Sequence, residues 1–153
     1  MVTTHKIAAE LYDDSFKLIA LHCSLNDYAM AYNINKAVKL QLQRSEEDLG
    51  VADFSFPIFE WKDDTNDTNW TLVSNAIKKI EKTETLDLFN ENSEERTHYL
   101  IEERKEVDYF LKIDVDDNYV VNTVVASIKA IPNVITAYNI DVANLKSKRN
   151  LIF

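Results

Sequence analysis

The chain has 153 residues, 46% apolar and 28% charged, which describes one globular domain over 1–153 with an ample core. A formal net charge of −9 argues against nucleic acid and anionic membranes as partners, because both attract positive surfaces. No apolar run reaches the roughly 20 residues that span a bilayer, the stretch from Met1 to Glu10 lacks a secretory layout, and the single cysteine, Cys23, leaves no intramolecular disulfide, so a cytoplasmic protein is expected.

The run Phe16 to Cys23 is apolar on both parities, as a central strand covered on both faces would be. Ser24, Asn26 and Asp27 supply capping oxygens, so a helix is expected from about Asp27, with Tyr28, Ala31, Tyr32 and Asn35 on one face. Leu40, Leu42 and Arg44 alternate with Lys39, Gln41 and Gln43 as a half-buried strand. Phe54, Phe56 and Ile58 alternate before the parity changes to Phe59 and Trp61. Pro57 at that change implies an edge or a bulge, since proline donates nothing to a ladder. Lys62 to Asn69 is a polar hairpin tip, and Trp70 to Ala76 is the returning strand. From Ile77 to Glu95 the pattern fits a helix turn, an extended arm or an acidic loop.

Tyr99 and Ile101 place a strand over 97–103, followed by a charged reversal at 103–106. Val107, Tyr109, Leu111 and Ile113 then form the strand that Ile101 would face in a hairpin. Val121, Val124, Val125 and Ile128 stand at helical spacing, ended by Pro132 and Asn133. Val134, Thr136, Tyr138, Ile140 and Val142 share one strand parity. The fold class is therefore α+β: a mostly antiparallel sheet with two helices on one face, ferredoxin-like in flavour and built on split βαβ units. The tail 145–153 is basic and then apolar. It is expected to fray, or to dock in a groove.

One glycine, Gly50, excludes a large block of chemistry. Loops that cradle phosphate need several residues without Cβ, so the P-loop, the dinucleotide fingerprint, the kinase loop and the Gly-x-Ser-x-Gly elbow are all absent. Positive φ is expected mostly at asparagine and aspartate. Residues 45–95 hold fourteen acidic side chains against four basic ones. In that stretch Asp63, Thr65, Asp67 and Asn69 have part of a calcium-loop spacing but no glycine or distal glutamate, so turn chemistry is the reading. His5, His22 and His98 are scattered, and His22 and Cys23 leave a strand on opposite faces. No catalytic, cofactor or metal site is assigned.

Residues 101–109 read Ile-Glu-Glu-Arg-Lys-Glu-Val-Asp-Tyr. This stretch is similar to the motif of the IPExxxVDY family of small bacterial proteins, with Ile101, Glu103, Val107, Asp108 and Tyr109 matching and Glu102 in place of proline. The resemblance extends to the chain length, to Phe110 to Ile113 and to the stretch Asp27 to Lys36. It implies no activity, cofactor or catalytic residue. Tyr109 is expected on the core parity, with Asp108 facing away beside Phe110 and Lys112.

The surplus rings of the middle hairpin remain. If the Pro57 strand is an edge, Phe56, Phe59, Trp61 and Trp70 would offer a surface to a protein partner or a second copy. The alternative for those rings is a second small core. The function expected is thus non-catalytic association with a protein or with itself as a homodimer, without nucleic acid or membrane. A small-molecule-sensing domain resembling amino-acid-binding ferredoxin-like modules is the rival.

Overall fold

The computed structural model describes residues 16–82, 93–115 and 117–153. Parts of the expectations for 1–10, 77–95 and 116–118 lie outside them. Ten strands and two helices follow in the order β1 (Lys17–Cys23), α1 (Asp27–Val38), β2 (Gln43–Arg44), β3 (Leu49–Val51), β4 (Phe54–Phe56), β5 (Ile58–Asp63), β6 (Thr68–Ser74), β7 (Ala76–Lys82), β8 (Ser93–Tyr99), β9 (Tyr109–Ile113), α2 (Asn118–Lys129) and β10 (Val134–Ile140). This is the α+β class, with a mostly antiparallel sheet.

The main sheet has six strands in the order β10-β1-β9-β6-β5-β2. Every pairing in it is antiparallel. β9 and β10 flank β1 from opposite sides, so they run parallel to each other and α2 connects them: a split βαβ unit. The first unit is wider than the sequence suggests. α1 delivers the chain to the far edge at β2, and β9, β6 and β5 lie between β1 and its parallel mate. β6, not the strand after α1, occupies the place beside β9.

Both helices cover one face. Ile19, Leu21, Leu72, Leu111 and Ile113 of the sheet meet Met30, Ala31 and Ile34 of α1 and Val121, Val124 and Ile128 of α2, all buried. Of the face expected to hold Tyr28, Ala31, Tyr32 and Asn35, Ala31 is buried but Tyr28 and Tyr32 are 62% and 67% exposed, because Met30 and Ile34 bury more apolar surface on the neighbouring stripe. Asn26 accepts from Ala29 N–H at 2.9 Å to start α1, and Asp117 accepts from Tyr119 N–H at 2.8 Å to start α2.

The opposite face is also a core, which explains the two-sided apolar character of β1. Leu18, Ala20, Val73 and Phe110 are covered there by Phe56 of β4, by Leu100, Ile101 and Val107, and by Val142, Leu145 and Leu151. The face expected to carry Asp108, Phe110 and Lys112 toward water thus buries the last two. The Lys112 ammonium lies over the rings of Phe16 and Phe153, at 4.8 and 4.2 Å, and donates to the Phe153 carbonyl at 3.0 Å. The tail therefore docks instead of fraying: Leu151 is fully buried and Asn150 donates to Leu100 O at 2.7 Å.

Pro57 separates two strands that belong to different sheets, β4 pairing with β3 and β5 with β6 and β2. β7 and β8 form a third, two-stranded arm, the extended option for the described parts of that stretch, 77–82 and 93–95. The hairpin expected between Ile101 and Val107 is absent. β8 pairs with β7, and residues 102–104 form a 3-10 turn that carries the chain to β9. Positive φ falls at Asp67 and Asn133 as expected, but also at Lys39, which ends α1, and at Ala52 in the β3–β4 turn.

Asn75 stands at the corner where the chain leaves β6 for the arm, and it is fully buried. Its amide donates to Arg104 O at 2.8 Å and Val107 O at 3.0 Å, while Oδ1 accepts from Ile101 N–H at 2.9 Å. Its own backbone N–H donates to Asp108 O, and its carbonyl accepts from Leu100 N–H. Asn75→Ala leaves Ile101 N–H and Val107 O unpaired in the interior and takes one of two bonds from Arg104 O, so we expect a loss of about 2 kcal/mol or more in urea unfolding; a loss below about 1 kcal/mol contradicts the role of this side chain in holding the corner.

Candidate interaction surface

The aromatic residues expected to form an interface do not lie on the surface. Phe56, Phe59 and Trp70 are buried, and Trp61 is half-buried against the helix-side core. The physical reason is that Pro57 divides the rings between two interiors: Phe56 faces the second core, whereas Phe59, Trp61 and Trp70 face the helices. The Trp70 indole N–H has no acceptor, so this ring contributes bulk and not a polar handle.

The five motif residues are all structural fasteners. Ile101 and Val107 fill the second core. Glu103 accepts from Ser147 N–H at 2.7 Å and from its hydroxyl at 2.6 Å, tying the turn to the tail. Asp108 accepts from Cys23 N–H at 3.0 Å, and the Tyr109 hydroxyl donates to Leu25 O at 2.6 Å, so the two adjacent side chains secure the exit of β1. Burial pushes the Tyr109 hydroxyl up, with Cys23, Asp27 and Asp108 adding to it. The Cys23 thiol is likewise raised, chiefly by burial, and lies 3.4 Å from the Met30 sulfur.

One convergence of polar groups escaped the sequence. Tyr138 on β10 shares a hydrogen bond with His22 Nε2 at 2.9 Å and accepts from Arg104 Nη2 at 2.7 Å. Arg104 Nε donates to Glu106 at 2.6 Å, which holds the Glu106 carboxyl below the usual carboxylate range. These groups spend their hydrogen bonds on one another and clasp the motif turn to β10. Among the described residues no set of three or more His, Cys, Asp and Glu is grouped to hold a metal ion. No described helix is long and apolar enough to cross a membrane.

The surface with the character of a contact site lies on α2 and β10. Residues 118–140 hold one charged side chain, Lys129, in a chain where 28% are charged. Ile135 and Tyr119 are nonetheless 79% and 77% exposed, among exposed Asn122, Thr123, Ala126 and Asn139. Ile135 protrudes because the register slips between His22 and Cys23, leaving it without a partner on β1. β10 is also the outermost strand of the main sheet among the described residues. The gap in charge was visible in the sequence. Which side of the helix and strand it exposes was not.

No protein-family model, curated protein or solved structure matches the chain.

Two predictions rest on the motif turn. Burial alone would raise the Glu103 carboxyl, but the Ser147 donors together with the backbone N–H groups of Glu103 and Lys146 outweigh it and the net shift is downward. Its contribution to stability is therefore full at neutral pH and is lost as pH falls through the carboxylate range. Glu103→Gln should lower the neutral-pH Tm and flatten the acid-side fall; an unchanged pH profile contradicts this. Glu102 is the first residue of the 3-10 turn, and Ile101 before it is extended at φ −116, ψ 95, outside the α region that a following proline disfavours. Its exposed ion pair with Lys105 is worth little. Glu102→Pro should gain about 0.5–1 kcal/mol in chemical unfolding by restricting the unfolded chain.

Proposed function

We propose that this protein is a non-catalytic, cytoplasmic binding protein of the IPExxxVDY kind that associates with a protein partner or with itself, through α2 and β10 and not through the aromatic hairpin. The observation that carries the reading is the charge-poor surface with Tyr119 and Ile135 projecting from it. Interface centres are depleted in charge and enriched in tyrosine, whereas an ordinary solvated helix face carries lysine and glutamate. The absence of a role for chemistry is supported by how the reactive groups are used. His22, Arg104, Glu106 and Tyr138 satisfy one another, and the Cys23 thiol is buried.

The sensing alternative has less support. The space between the sheet and α2, where a small ligand would sit in such a domain, is filled by Val121, Val124 and Ile128 packed on the sheet. We expect Tyr119→Glu with Ile135→Lys to abolish association, read by light scattering on the purified chain and by quantitative affinity capture from native cells, while Tm changes little because both side chains are exposed. Association that survives both substitutions places the surface elsewhere.

A further inference from the structure

We propose that the occupant of this surface is a second copy of the chain, with β10 pairing antiparallel to β10 of its mate across a two-fold axis at Tyr138 and joining two six-stranded sheets into one of twelve. The inference rests on the assignment of the α2–β10 surface and adds the partner and the register.

The two edges of the sheet differ in how they are protected. The β2 edge is two residues long, and the part of β5 beyond it carries Lys62 and Asp63. Short length and charge are the usual guards against a strand from another molecule. β10 runs for seven residues, Val-Ile-Thr-Ala-Tyr-Asn-Ile, with no charge and no proline. Its one guard is the irregularity at Ile135, which leaves Thr136 to Ile140 as a regular strand. Tyr138 is the centre of that segment.

Centring the axis there sets Tyr138 against Tyr138, Ala137 against Asn139 and Thr136 against Ile140 of the mate. Each is a neutral pair, and a β-branched or aromatic residue contributes to two of the three. The contact is isologous, as closed two-fold dimers require, because one uncharged strip serves both partners. Tyr138 is already held by His22 and Arg104, so its ring is ordered before it meets its mate. α2 packs on β10, and its exposed Asn118, Tyr119, Asn122 and Thr123 carry no charge that would repel a mate.

Charge gives a signature particular to a second copy. Each copy carries a net −9, so two copies repel on the whole, and the side chains of this strand add no charge to that repulsion. A dimer held by a neutral edge against that repulsion must tighten as salt rises, whereas a basic partner would be released by salt.

Sedimentation velocity from low micromolar to several hundred micromolar should show a monomer–dimer equilibrium that tightens on moving from low to half-molar salt. Hydrogen exchange should show concentration-dependent protection of the Thr136–Ile140 amides. Asn139→Lys, exposed and facing Ala137 of the mate, should weaken the dimer roughly tenfold or more, and Asn139→Gln should not. Three results overturn the pairing: a monomer throughout the range, a dimer indifferent to Asn139→Lys, or protection confined to other strands. A monomer that still binds a different protein, and loses it with Tyr119→Glu and Ile135→Lys, overturns the second copy but leaves the surface in place.

Discussion

The arrangement depends on one buried amide. Between β6 and β9 the chain leaves the main sheet for an arm and comes back, and Asn75 bonds to both the departing and the returning segment. A buried amide with both donors and its acceptor engaged fixes geometry in a way that apolar contacts cannot, because every alternative leaves a polar group unpaired. With the turn 101–107 held there, Ile101 and Val107 enter the second core and Asp108 and Tyr109 reach the end of β1. Arg104 is positioned to grip Tyr138. The central strand, the turn and the edge strand are therefore set by a common fastening.

The similarity to a named motif gains a mechanical meaning from this. Its apolar members close a core, its acids accept from backbone or hydroxyl donors of distant segments, and its tyrosine bonds a carbonyl on the path from β1 to α1. Each of the five thus has a part in holding the fold together. In this chain the stretch 101–109 therefore serves the closing of the fold.

Local periodicity made much of the architecture legible. β1 as a doubly covered strand, the start of α1 at Asp27, the apolar stripe of α2 and the strand through Tyr109 to Ile113 all follow from side-chain spacing. What failed was pairing. The turn at 102–104 looks like the reversal of a hairpin because Ile101 and Val107 are apolar on either side of charge; only the partner of β8 reveals that the chain is passing between sheets. The hairpin rings fit an exposed edge or a second core equally well for a similar reason. A count of aromatics does not tell how many interiors there are to fill, and here there are two. Asn75 was invisible because an asparagine beside a strand resembles any turn residue until its five partners are seen.

β1 has consequences for synthesis. Its two neighbours, β9 and β10, begin 86 and 111 residues after its last residue Cys23. A ribosome therefore releases an apolar strand, greasy on both sides, long before either mate exists, and closure waits until β10 has been made. Such distant pairing slows folding and leaves the nascent segment open to chaperones and to its neighbours on a polysome. Truncated translation products that end before Tyr109 would carry this strand with neither mate, and these are the species of this protein that quality control must recognise first.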